Sequence, residues 1–345
     1  MVASPGSGPV TVKDVAAHAG VSPMTVSRTL GGGKNVRPEL QELVWKSVTA
    51  LGYHRNENAR SLRPGHSSGL IGVAITNLAN PYYGDFAIGV EEVAARHGRR
   101  ILLGNSSEDQ ERERQLIADF IGRQVEGLVV VPAAGGETGS AHLAAGALAG
   151  TPLVLASRLV PGIDASAVIL DDQGGAEAGT RVLLDAGHTR IAYLGNLSSV
   201  FTGQRRFEGF SRAMSEAGLE VDAELVRREQ QDVASARDAM AAMLRLPEPP
   251  TAVFAANNRN AIGAMTAIAA HMHTGGAPGP SVVGFDGFEL AELSPVPLTL
   301  VEHDARQLGR RAAELLFAAP VSEAGVVETI PVRIREVRRD TAIVV

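Results

Sequence analysis

From Leu70 onward the chain alternates short apolar runs with helix-length stretches, and this rhythm restricts the possible fold more than any other feature. The runs fall at 70–75, 100–103, 127–131, 152–156, 168–170, 191–194, 252–255, 282–285 and 299–301. The early ones recur every ~25–30 residues, the length of a strand plus a returning helix. Leu70-Ile71-Gly72-Val73-Ala74-Ile75 and Ala252-Val253-Phe254-Ala255 are apolar throughout rather than alternating. That suits parallel sheets covered on both faces. The pattern predicts two doubly wound parallel-sheet α/β lobes with a cleft at the carboxyl ends of their strands.

The first sixty or so residues follow another rule. Val12, Val15, Ala16 and Ala19 sit at helical spacing, and Gly20 stops the pattern. Ser22 is placed to cap a second helix with Pro23 at its first position, where a missing N–H costs nothing. Val26 and Leu30 form its buried stripe, and Met24 and Arg28 lie four apart on nearly the opposite face. Gly31 to Gly33 end it. Pro38 opens a third helix whose stripe is Leu40, Leu43, Val44, Val48 and Leu51. Two short helices joined by an Ala-Gly-Val turn, with a third completing the core, describe a small all-α helix-turn-helix head. In that motif the second helix enters the major groove. Pro23, Met24 and Arg28 would then face bases, with Arg28 the candidate for a bidentate contact to guanine. Ser22, Thr25, Ser27 and Asn35 would hold the phosphate backbone.

The charge distribution agrees. The whole chain of 345 residues carries a formal −6, yet residues 1–66 hold eight Lys/Arg against four Asp/Glu, a net +4 that leaves −10 for the rest. All three lysines lie in that stretch. A basic head on an acidic body suits a nucleic-acid partner for the head alone. Cysteine is absent, which excludes disulfide frameworks, thiolate zinc sites and cysteine nucleophiles. The start, residues 1–10, is small, polar and Gly/Pro-rich, and reads as a loose tail rather than a signal peptide. No run approaches the ~18 apolar residues of a membrane span. A cytoplasmic location and no membrane partner are expected.

The run DVAAHAGVSPMTVSRTL, followed by VRPELQELVWKSVTALGYHRNENARSLRPG, resembles the N-terminus of the lactose/galactose-repressor family. The segments GHTRIAYLGN, RRFEGF, PTAVFAANN, SVVGFDGFELAEL, PLTL and LGRRAAELL extend the resemblance over residues 11–345. It implies a helix-turn-helix domain over 11–54 and a hinge helix and linker over 55–68. It further implies an effector-binding pair of lobes of periplasmic-binding-protein type, the first from 69–168 plus 301–326 and the second from 169–300 plus 327–345. Asn56 is placed to cap a helix over 57–62, too short to be stable alone in water. The family pattern has such helices form on DNA, where Asn58, Ala59 and Arg60 sit at the minor groove and Leu62 is the wedge between central base pairs.

The family's effector positions carry over one at a time. Tyr82 and Tyr83 follow the first strand, Asn105 ends the second, and Ser157 precedes the retained Arg158. Thr202 and Arg206 follow the run at 191–194, Gln231 stands where an aromatic often stacks, and Asn257 follows the run at 252–255. Asp286 ends the run at 282–285, and His303 stands where glutamine is usual. A carboxylate at Asp286 suits two neighbouring sugar hydroxyls, and Arg206 offers the converse fork of donors. Ser157 replaces a frequent Asp, Asp172 a frequent Asn and Asn258 a common Asp. Ser157 and Gln231 favour hydrogen bonding over stacking, so a sugar or polyol is expected first, a sugar phosphate next and a purine last. His303 is either a group that could titrate near neutral pH or a fixed, neutral hydrogen-bonding residue, the second reading being preferred.

The resemblance implies a non-enzymatic repressor of a carbohydrate-utilisation operon, without cofactor or metal, binding double-stranded operator DNA as a homodimer under control of a small-molecule effector. A corepressor-dependent regulator answering to a sugar phosphate or purine is one alternative. A solute-binding protein of a sugar transporter is another, disfavoured by the basic head. An enzyme reading finds little support. Gly31–Gly33, Gly135-Gly136 and Gly174-Gly175 fit neither phosphate-loop pattern. His18, His54, His188 and His303 lack metal-ligand spacing, and His188 reads as structural.

Overall fold

A computed structural model of the protein describes residues 10–33, 35–54, 68–135, 140–275, 278–289, 291–318 and 325–338. The chain divides into two compact units, Met1–Ser68 and Gly69–Val345.

The first unit contains α1 (Val12–Ala19), α2 (Pro23–Leu30) and α3 (Pro38–Leu51). Thr11 and Asp14 form a reciprocal cap at the start of α1, and Gly20 ends it in the left-handed region that glycine adopts without strain. Ser22 Oγ accepts from the Thr25 N–H at 3.1 Å and Pro23 stands at N1 of α2, as the sequence predicts. Val15, Ala16, Val26, Val44 and Tyr53 form the core. The α3 stripe differs from expectation. Leu43 is 46% exposed, whereas Ser47 is buried. The Ser47 hydroxyl donates to the Leu43 carbonyl at 2.9 Å and lies 3.0 Å from His18 Nδ1, so a polar residue faces α1 with its hydrogen bonds satisfied. Leu30 is only partly buried, and Thr29 beside it is enclosed. The hinge positions Asn58, Ala59, Arg60 and Leu62 lie outside the described residues.

The second unit holds two six-stranded sheets. The first runs β2 (Arg100–Asn105), β1 (Leu70–Ile75), β3 (Leu128–Val130), β4 (Leu153–Ala156), β5 (Ser166–Leu170), β11 (Val327–Ile330), all parallel. The second runs β7 (Val226–Arg227), β6 (Ile191–Leu194), β8 (Ala252–Ala255), β9 (Ser281–Phe285), β10 (Leu298–Glu302), β12 (Arg333–Arg338), with only β12 antiparallel. The helices, in chain order, are α4 (Pro81–Arg96), α5 (Gln110–Gly122), α6 (Asp172–Asp185), α7 (Phe201–Glu216), α8 (Val233–Met243), α9 (Asn258–His273) and α10 (Ala305–Ala318). Interior strands such as β8 are buried at every residue, which is why they read as unbroken apolar runs.

The chain crosses between lobes near Asp171, near His303-Asp304 and near Pro331-Val332. All three expected boundaries move, the first by two residues, because Ile169 and Leu170 stay in β5 of the first sheet. Val301 belongs to β10 and stays in the second lobe, held between β9 and β12. The first lobe keeps β11, expected in the second, through parallel pairing of Val327–Ile330 with β5. As an edge strand β11 is buried only at Ile330, so its sequence lacks the apolar run of an interior strand. Helices α4 and α10 pack unusually close. A Cβ at Gly89 would stand 2.1 Å from the Arg306 carbonyl oxygen, and one at Gly309 2.1 Å from that of Phe86, so only glycine fits either place.

Candidate functional site

Two surfaces carry chemistry. On α2, Pro23, Met24 and Arg28 are exposed, Met24 by 63%. Arg28 makes no ion pair among the described residues and is available to an acceptor outside the head. Thr25 and Ser27 are half-buried beside them. Ser22 and Thr25 hydroxyls lie 2.9 Å apart, engaged with each other at the helix start. Asn35 is exposed in a left-handed backbone conformation (φ 65°) that asparagine tolerates better than most residues.

The second surface is a cavity of about 230 Å³ between the lobes. Its walls come from the carboxyl ends of strands in both sheets. Thr76 follows β1, Ser107 and Glu108 follow β2, and Ser157 and Arg158 follow β4. In the second lobe Asn196 follows β6, Ala256 and Asn257 follow β8, and Asp286 follows β9. Ser107, Glu108, Ser157 and Asp286 all have positive φ (57°, 60°, 63° and 66°), a conformation costing non-glycine residues on the order of 1–3 kcal/mol each. Such strain at four residues, after three strand ends around one cavity, marks a place where side-chain direction matters more than backbone comfort.

In the second lobe the centre is Arg206 on α7. It donates from Nε to Asp172 Oδ1 at 2.7 Å and from Nη1 to the Ala256 carbonyl at 2.5 Å, and it reaches both Asp286 oxygens at 3.3 Å. Its guanidinium lies 3.7 Å over the Phe285 ring centroid. Burial pushes the Asp286 carboxyl up, but the Arg206 charge and a hydrogen bond from His303 outweigh it and hold Asp286 below the usual carboxylate range. Asp172, enclosed behind Arg206, is raised because burial wins there, and its Oδ2 has no partner.

The first lobe has its own buried pair. Arg158 donates to both Glu108 oxygens at 2.8 and 2.7 Å and to the Pro132 carbonyl at 2.6 Å. Tyr82 OH lies 3.3 Å from Ser157 Oγ, and Thr76 donates to Tyr83 OH at 2.8 Å. Burial raises both phenols, which therefore act as neutral hydroxyls. The lobes are tied across the cleft by a reciprocal amide pair. Asn80 Nδ2 donates to Asn258 Oδ1 at 3.2 Å, and Asn258 Nδ2 donates back to Asn80 Oδ1 at 2.9 Å.

Of the positions expected from sequence, Tyr82, Tyr83, Ser157, Thr202, Arg206, Gln231, Asn257 and Asp286 line the cavity. Two do not. Asn105 turns to its own lobe, accepting from the Leu78 N–H at 3.2 Å and donating to Ser107 Oγ at 2.9 Å, so it shapes the wall from behind. His303 stands behind Asp286, 3.1 Å from Oδ1 through Nε2, edge-on to Tyr82, and lines a larger outer groove instead. Sequence reasoning missed Glu108, Asn80, Asn196 and Arg259, and noted Arg158 without placing it in the cavity. Their signal was position, since each lies within a few residues of a strand's carboxyl end. His188 bonds to Thr251 Oγ1 and Ser281 Oγ at 3.0 and 3.1 Å, at the opposite ends of β8 and β9, a structural role. Among the described residues no group of three or more His, Asp or Glu could hold a metal, and no helix is long and apolar enough to cross a membrane.

Family models match both units, "Bacterial regulatory proteins, lacI family" at residues 11–56 and "Periplasmic binding proteins and sugar binding domain of LacI family" at 68–337. The regulator GalS of Salmonella typhimurium is 32% identical over 326 residues, 93% of each chain. GalR of Escherichia coli is 32% identical over 89% of this chain and 88% of its own. A Lac repressor dimer solved with operator and the anti-inducer ONPF superposes with a TM-score of 0.77 at 25% identity, covering 95% of this chain and 98% of that one. The regulator CelR in complex with cellobiose gives 0.68 at 27% identity, over 94% and 98%. With a helix-turn-helix head, two parallel-sheet lobes and regulators as relatives over nearly its whole length, this chain belongs to the LacI family of DNA-binding transcriptional regulators.

Proposed function

We propose that the protein is a cytoplasmic repressor of carbohydrate-utilisation genes, a homodimer on a near-palindromic operator, released when a sugar or polyol binds between its lobes. The observation that carries this reading is the cavity itself. Residues from both sheets meet at one polar space, so a ligand there contacts both lobes and favours one lobe arrangement over another. In this reading Arg206 donates to ligand hydroxyl oxygens, Asp286 accepts from neighbouring hydroxyls, and Ser157, Thr202, Gln231 and Asn257 select among sugar patterns. Among the described residues Tyr82 and Tyr83 supply the only aromatic walls, which favours a sugar over a purine. CelR, solved with cellobiose, has the same architecture.

On DNA, Met24 and Arg28 read bases, with Pro23 beside them. Ser22, Thr25, Ser27 and Asn35 meet phosphates. Asn58, Ala59, Arg60 and Leu62 form the hinge contacts in the minor groove. A homodimer is supported by large apolar side chains that the second unit leaves exposed, including Leu78, Ile88 and Leu103 on the first lobe and Leu293 on the second. The test uses the full chain on a pool of genomic DNA fragments, at two salt concentrations, with a carbohydrate library added. Recovery of a palindromic site that one compound releases supports the proposal. A site tightened by the compound makes it a corepressor. Weak binding erased by salt, with no preferred site, contradicts it.

A further inference from the structure

Among the described residues five charged side chains line the cavity: Arg158, Arg206, Arg259, Glu108 and Asp286. Arg158 and Glu108 neutralise each other through two short bonds, and Arg206 is held against Asp286, with Asp172 behind it. Arg259 is different. It sits in the first turn of α9, its Nε is buried without a hydrogen-bond partner, and it makes no ion pair among the described residues. The acid that feels its charge is Asp232, whose carboxylate caps α8 by accepting from the Ser235 N–H at 2.7 Å. Its neighbour Asn258 is a neutral amide engaged with Asn80. One cation on the wall therefore has no ion-pair partner among the described residues, although Asp232 lies near enough to feel its charge.

The same cavity holds a second unmet set of donors. Helices α4, α6 and α9 begin with Asn80, Asp171 and Asn257, whose side chains accept from their own first turns at 3.2, 2.9 and 2.8 Å. Helix α7 begins at Val200, which supplies no such cap, and its first-turn residues Thr202 and Gly203 line the cavity. Uncapped first-turn amides and an unpaired guanidinium in one small space both ask for negative charge on the ligand.

Resting on the effector reading above, we propose that the natural effector is an anionic sugar derivative, a phosphate ester or carboxylic acid of a small polyol. Arg259 and the first turn of α7 seat its charged group, while Arg206 and Asp286 hold its hydroxyls. This separates ligand recognition into two parts, with the polyol body at the ion cluster and the charge at Arg259.

The experiment is a binding titration of the full-length protein, by calorimetry, with matched compounds: neutral hexoses, their phosphate esters, their sugar acids and inorganic phosphate. Arg259→Gln and Arg259→Lys variants are run beside it. The expected result is that a charged member binds where its neutral parent does not, with affinity falling as salt rises. A phosphate ester or a sugar acid as the binder identifies which anion is used. Arg259→Gln should then lose about 10- to 100-fold, the scale of a charge-assisted hydrogen bond, and Arg259→Lys should recover part of it. Unliganded melting curves matching the wild type check that the variants fold. A neutral sugar bound equally by wild type and Arg259→Gln overturns the anion proposal and leaves the effector reading standing. No binding of any carbohydrate, by a protein that still binds operator, overturns both.

Discussion

The exposed face of α2, proposed to read DNA, and the cavity between the lobes make opposite use of polar side chains. On α2 the proposed base-reading residues Pro23, Met24 and Arg28 are exposed, and Arg28 makes no ion pair among the described residues. In the cavity the arginines are buried and bound first to the protein's own acids, Arg206 to Asp172 and Asp286, Arg158 to Glu108. An outward face can change without cost to the fold, so stability and recognition are separable there. In a buried ion cluster they are the same interactions. Removing one partner leaves a charge without solvent or counter-charge.

That contrast is broken or sharpened most strongly at Arg206. Arg206→Ala strands Asp172 and Asp286, so it should lower unfolding stability by about 3–5 kcal/mol and abolish carbohydrate binding, as read by urea melts and calorimetry. A fully stable variant would mean that the cluster is not the keystone of the second lobe. Arg28→Ala is the counterpart on the head. Specific operator affinity should fall by about 1–3 kcal/mol, while stability stays within about 0.5 kcal/mol of wild type. A large loss of stability there would erase the distinction.

Acidity offers a third comparison. Burial raises the Glu108 carboxyl, but the hydrogen bonds and charge of Arg158 outweigh it, so its folded-state value lies below the ordinary 4.5. A depressed carboxyl stabilises the fold above its ordinary pKa, and that contribution is lost as pH falls through the folded-state value. Urea midpoints of Glu108→Gln should therefore vary less than wild type between pH 7 and 3. Parallel curves would show that the pair contributes no pH-dependent stability. The smallest effects belong to the inter-lobe amides. Asn258→Ala leaves the Asn80 amide without its partner and should cost about 1 kcal/mol, with a few-fold change in effector affinity. His188→Ala, at the far ends of β8 and β9, should cost a similar amount with no change in effector affinity.

The two regions were also unequally legible. The head is local in sequence. Ser22, Pro23 and Gly20 each fix a helix end within three residues, so α1 and α2 could be placed from the chain alone. Leu43 was misread because helical spacing shows which residues share a face, not which faces meet, and Ser47 hydrogen-bonded its way into that interface. The interior strands announced themselves by apolar runs. The edge strand β11 did not, because burying one residue in four leaves no such run. At the cavity, eight expected residues converge, since the strand-end rule and the family pattern both point there. Asn105 and His303 fell one layer behind it, because spacing does not tell whether a strand-end side chain turns to the cavity or to its neighbour. Arg259 was missed because a cation in a helical first turn looks like solvent-facing charge until its surroundings are known.

The most direct measurement of the central claim is the affinity of the full-length protein for its operator, by fluorescence anisotropy, as a function of the carbohydrate that binds the cavity. Linkage predicts a shift of about 5- to 150-fold at saturating ligand. The shift should be absent in Arg206→Ala at a temperature where that variant is folded. An operator affinity that stays constant while the cavity fills would contradict the account.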